Sequence, residues 1–111
     1  MTSEEYDALT DEERQIKVAE LCGWDCVVIN VDEWIGKDPD DDLTKRIPDY
    51  LHDLNAMYEA EARLNDMQYD EYWNTLVYLC VTTGWERMNS TTAAQRAKAF
   101  VLTITGGRNN A

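Results

Sequence analysis

The segment Trp24-Asp-Cys-Val-Val-Ile-Asn-Val31 limits the possible folds more than any other part of the chain. It is rich in β-branched residues and too short for a helix, so it predicts a strand over 24–31. Trp24, Cys26 and Val28 alternate onto one face, and Val27, Ile29 and Val31 onto the other. A strand that is apolar on both faces has to be covered on both, which places it in a sheet layer between helices. The expected class is α+β: a small α-β-α sandwich, about four helices around a small, mostly antiparallel sheet.

The flanking segments supply those helices. Thr10-Asp-Glu-Glu13 fits a capping box, and Ile16, Ala19 and Cys22 form a stripe that Gly23 can terminate, so a helix is expected over 11–22. Residues 1–9 are polar and are expected to be loose. The stretch from Gly36 to Pro48 reads as a loop, with a short strand near Leu43–Ile47. Leu51, Leu54, Tyr58 and Ala62 then recur on one helical face, with Pro48 tolerated at the helix start. A third helix is expected over 66–82, its inner side carrying Tyr69, Tyr72, Trp73, Leu76, Leu79, Cys80 and Thr83. Gly84 stops it, and Trp85 to Met88 should return as a strand. Thr92-Ala-Ala-Gln95 is another capping box, opening a helix with the stripe Ala93, Ala97, Phe100, Val101 and Ile104. Residues 10–105 thus make one domain, with 106–111 loose.

Charge narrows the possible partners. The 111 residues hold 22 acids against 10 bases, a net charge of −12. Residues 1–50 contain 15 acids and 5 bases, and no acid follows Arg87. Direct DNA binding, which needs Lys and Arg to neutralise phosphates, is not expected of such a chain. No apolar run approaches the roughly 20 residues that span a bilayer, and no basic segment leads into an apolar one at the start. A reducing cytoplasm is the expected location. Cys22, Cys26 and Cys80 are an odd number and read as small buried hydrophobes; Cys22-Gly-Trp-Asp-Cys26 lacks the second ligand pair that a zinc site needs.

Catalytic signals are scarce. His52 is the only histidine, and His52-Asp-Leu-Asn-Ala56 does not supply the i, i+4 ligand pair of a helical zinc motif. The only serines, Ser3 and Ser90, belong to no nucleophile motif. Asp38, Asp40 and Asp42 have the spacing of an ion-binding loop. An EF-hand, however, would need Gly where Leu43 stands and Glu where Asp49 stands, so a solvated acidic turn is expected. A non-enzymatic protein without cofactor or metal is the reading.

Three segments carry a resemblance: LTDEERQIKVAELCGW at 9–24, PDYLHDLNAMYEAEARL at 48–64 and TTAAQRAKAFVLTI at 91–104. In this order they resemble the phage α-β-α sandwich domain family and, more distantly, the NinX-like proteins of lambdoid phages. The acidic loop at 38–42 has no counterpart there. The resemblance implies a small phage or prophage protein with helices on two sides of a small sheet. It brings no catalytic residues with it.

Two binding functions follow. The first is a non-catalytic inhibitor that occludes a host protein, such as a nucleic-acid-binding defence effector of the CRISPR or restriction type. Its acidic patch would be Asp32, Glu33, Asp38, Asp40, Asp41 and Asp42, mimicking nucleic acid in a basic groove. The second is a sponge for a cyclic nucleotide or other phosphorylated signal. There the helix start at Thr91 and Thr92 would seat phosphate, helped by Arg87, Arg96 and Lys98, with Trp85 stacking on a base. A small sheet with an uncovered edge is also compatible with a homodimer.

Overall fold

The computed structural model describes residues 1–29, 34–83 and 91–106, with all their side chains except those of 26–29 and 83. The chain opens in a helix, α1 (Ser3–Asp7), where a loose tail was expected. Five residues cannot sustain a helix alone. Local capping and tertiary contacts hold this one. Thr2 and Glu5 form a reciprocal capping box, and Tyr6 is buried. Arg14 donates to the carbonyls of Tyr6 and Asp7 at 3.3 and 2.9 Å, satisfying acceptors at the helix end. In α2 (Asp11–Leu21) the Thr10–Glu13 box is present as expected, and Gly23 follows at φ 97°. The buried side of α2 is Gln15, Val18 and Ala19 with Cys22, while Ile16 is only half-buried. Gln15 is drawn inward because its amide donates to the Pro48 carbonyl and accepts from the Tyr50 amide.

Three antiparallel strands follow in the order β1 (Asp25–Ile29), β2 (Trp34–Lys37) and β3 (Thr44–Arg46). Val28 pairs with Ile35 and Ile29 with Trp34; an irregularity separates them from the Asp25–Lys37 pair. Ile35 pairs with Arg46 and Lys37 with Thr44. β3 lies where a short strand was expected, whereas β2 falls partly in the expected loop. Gly36 hides β2 from a propensity reading, and a side chain there would be tightly placed. A Cβ there would stand 3.2 Å from the Asp25 carbonyl oxygen and from Ile47 Cδ1. Trp24 is buried and donates its indole N–H to the Tyr50 hydroxyl at 2.9 Å. The covering of both faces of 26–31 and the return strand at 85–88 lie outside the described residues.

Helix α3 (Leu54–Glu61) starts six residues after Pro48, later than the sequence suggests. Tyr50 is tied to Gln15, and Asp53 caps the helix by accepting from the Asn55 amide. Its inner side is Ala56, Met57, Ala60 and Glu61; Leu54 and Tyr58, expected inside, are 38% and 48% exposed. Helix α4 (Asp66–Thr83) buries Tyr72, Thr75, Leu76 and Leu79, while Tyr69 stands 42% exposed. Helix α5 (Ala93–Thr105) has its capping box at Thr92 and Gln95 and ends at Gly106 with φ 72°. The expected stripe is buried at Ala93, Ala97, Phe100 and Val101, but so are Arg96, Lys98, Ala99 and Leu102. α5 is therefore wrapped on nearly all sides, and α1, α2, α3 and α4 all pack against it. The architecture is the expected α+β class, with five helices and a small antiparallel sheet.

Candidate functional site

Acidic residues crowd the turn between β2 and β3, and that turn answers its own charge. Asp38 accepts from the Asp40 amide at 2.8 Å and Asp41 from the Leu43 amide at 3.0 Å, so two carboxylates shape the backbone. Asp42 takes the left-handed conformation at φ 64°, which Asp tolerates better than most residues. Lys45 reaches both Asp38 and Asp41, Lys37 lies 3.2 Å from Asp42, and Arg63 from beyond α3 forks onto Asp40 at 3.0 Å. The hydrogen bond from Lys45 holds the Asp41 carboxyl below its ordinary range and the lysine above its own. Asp38, Asp40, Asp41 and Asp42 do come together, each paired with one of three cations and so not as a bare acidic patch. Asp32 and Glu33 lie outside the described residues.

Of the phosphate seat, Trp85 and Arg87 lie outside the described residues, Thr91, Arg96 and Lys98 are buried, and Thr92 is exposed. The Arg96 side chain is 8% exposed and donates to the Glu61 carboxylate at 2.9 Å; the Glu61 side chain is 9% exposed. Arg96 Nε also donates to the Thr91 hydroxyl at 3.0 Å, and the Tyr72 hydroxyl donates to the same Glu61 oxygen at 2.6 Å. The guanidinium lies 5.5 Å from the ring centres of both Tyr58 and Trp73. Burial and the neighbouring carboxylate push the Tyr72 hydroxyl far above the ordinary tyrosine range. Such a buried, hydrogen-bonded pair ties α3, α4 and α5 together. Lys98 is likewise turned to Asp7 at 2.8 Å, with its side chain 9% exposed. The Thr92 hydroxyl accepts from the Gln95 amide within the capping box. Of the expected seat, Thr91 and Arg96 are thus engaged in the packing of α5, and Lys98 is paired with Asp7.

A cleft of about 440 Å³ lies where α1, the start of α2, the turn at 50–52 and the first turn of α5 meet. Its charged lining is balanced: Arg14 and Lys98 against Asp7 and Asp11, with His52 at one side. Arg14 is 3.4 Å from Asp11, and its guanidinium covers the Tyr6 ring at 5.1 Å. The His52 ring nitrogen Nδ1 lies 3.0 Å from Asp49, with the ring 70% exposed. This arrangement gives the histidine a carboxylate neighbour. Burial raises the Tyr6 hydroxyl to about 12, and that hydroxyl is the one buried polar side-chain atom without a partner among the described residues. The cleft has the chemistry of a helix junction held by ion pairs.

The surface that sequence reasoning passed over is on α1 and α2. Glu4, Glu5, Glu12, Glu13 and Glu20 are exposed there. Glu5 and Glu13 serve the capping boxes, and Glu4, Glu12 and Glu20 make no ion pair among the described residues. Six of the ten bases, Arg14, Lys37, Lys45, Arg63, Arg96 and Lys98, are paired within the fold, which no sequence signal shows. The two helices are left with a carboxylate-rich exterior. Among the described residues no helix is long and apolar enough to cross a membrane. No protein family, curated protein or solved structure matches the chain.

Proposed function

We propose that this chain is a non-catalytic binding protein of the phage α-β-α sandwich kind, which inhibits a host protein by occluding a basic surface. The observation that carries the proposal is the partition of charge. Internal pairing takes up most of the cations and leaves the carboxylates of α1 and α2 facing solvent. A face of that sign suits a groove built for nucleic acid, where positive potential is concentrated. This version of the acidic surface replaces the 38–42 turn as the contact, since that turn carries its own cations. The resemblance of three segments to phage proteins supports a host-directed role.

The test is capture of a partner from a bacterial host extract, followed by affinity measurement with the purified pair. Reversing Glu12→Lys and Glu20→Lys together should weaken binding at least tenfold while the circular dichroism spectrum stays unchanged. Raising salt should weaken the wild-type complex steeply. An affinity indifferent to both changes would remove the acidic face from the mechanism.

A further inference from the structure

The cleft between α1, α2 and α5 orders its charges by exposure. Its cations are covered: the side chains of Lys98 and Arg14 are 9% and 26% exposed. Its carboxylates are open, Asp7 at 59% and Asp11 at 75%. Its volume of about 440 Å³ falls within the roughly 300–1,000 Å³ of small-molecule sites. On the covered side, unengaged donors accumulate. Lys98 makes one hydrogen bond, to Asp7, where an ammonium can donate three. Gln95 accepts the Thr92 amide through Oε1, which leaves its Nε2 group unengaged. Among the described residues the Ala94 amide, in the first turn of the 13-residue α5, donates to nothing. Tyr6 is 3% exposed, and its hydroxyl is without a partner. The charges that act on this hydroxyl are Arg14, Asp7 and Asp11, all on the cleft wall, which places it on the cleft side of the ring. Folded proteins pair nearly all such groups, so this hydroxyl is a hydrogen bond on offer to an entering ligand.

We infer that this cleft binds a small zwitterion of the α-amino acid class, with its carboxylate turned inward and its ammonium outward. The carboxylate accepts from Lys98, from the Tyr6 hydroxyl and from the Ala94 amide, where the start of a helix favours an anion. The ammonium donates to Asp7 and Asp11. Each of these acids gives one oxygen to a cation of the cleft, Asp7 to Lys98 and Asp11 to Arg14, and keeps the other for the ligand.

The charge of the lining decides between ligand classes. Two acids and two bases cancel, so a ligand without net charge leaves that balance as it is. A phosphate or a nucleotide would bring uncompensated negative charge beside Asp7 and Asp11, into a protein that carries −12. A simple amine would set its charge against Lys98 and Arg14. An apolar molecule would cover the donors without bonding them. A zwitterion matches the covered cations and the open carboxylates together. None of the five glutamates of the acidic face lines the cleft, so this inference and the acidic-face reading can fail separately.

Isothermal titration calorimetry of the full chain with each of the standard amino acids tests it. At least one should bind one-to-one with Kd below about 1 mM. Its N-acetyl derivative lacks the ammonium and its primary amide lacks the carboxylate, and each should bind at least about tenfold more weakly. Inorganic phosphate should not displace it. Tyr6→Phe removes only the hydroxyl; it should not lower the melting temperature, and it should weaken the same amino acid by about three- to tenfold. No binding by any amino acid, a blocked derivative as tight as its parent, displacement by phosphate, or an affinity that Tyr6→Phe does not move would each overturn the inference.

Discussion

At the residue scale the decisive contact is Arg96 with Glu61. Both side chains are nearly removed from water, so deleting one strands the charge of the other. Glu61→Ala or Arg96→Ala should each cost about 3–5 kcal/mol in urea unfolding. The apolar pair Glu61→Leu with Arg96→Met should recover most of that loss. Arg96→Lys should not, since one ammonium cannot serve Glu61 and Thr91 from the same planar fork. Tyr6 shows the opposite case, a buried hydroxyl with nothing to bond. Tyr6→Phe should be neutral or stabilising by about 1 kcal/mol. Its hydroxyl is raised to about 12 in the folded protein, so the neutral form is favoured there. Above the unfolded tyrosine pKa of about 10, the unfolded chain ionises first, and stability falls as pH rises toward 12. Tyr6→Phe should make the pH 10–12 part of the stability profile shallower, measured by urea midpoints across that range.

At the element scale, local signals were readable and tertiary ones were not. The capping boxes at Thr10 and Thr92 stand where the sequence places them, because each is closed within four residues. The late start of α3 and the inward turn of Gln15 depend on each other across more than thirty residues, and no local pattern could show that. β2 was missed because Gly36 is a poor strand former whose reason for being there is the Asp25 carbonyl on the neighbouring strand. Gly36→Ala should cost about 1–3 kcal/mol, since backbone and Ile47 both have to yield. Capping should matter in proportion to what each helix carries. Thr92→Ala, at the start of the helix all the others pack on, should cost about 1–2 kcal/mol by thermal or urea unfolding. Thr2→Ala, at a five-residue helix, should cost less than about 0.5 kcal/mol, because only α1 frays.

At the scale of the whole molecule, the fold sorts charge. The acidic excess was plain in the composition, but its placement was not. The cation for Asp40 is Arg63, and the partner of Arg96 is Glu61, thirty-five residues earlier. A run of four aspartates in the sequence thus became a turn held by three cations, and a basic cluster became interior packing. What remains outside is the carboxylate surface of α1 and α2, and on it rests the reading of the protein as an acidic binder instead of a phosphate receptor. The most direct check is the Arg96 side-chain Nε–H resonance, followed by NMR while inorganic phosphate and then a cyclic nucleotide are added. With Arg96 held by Glu61 and Thr91, the signal should exchange slowly with water and keep its position throughout. A resonance that exchanges at the rate of free arginine, and moves as phosphate is added, would contradict the account.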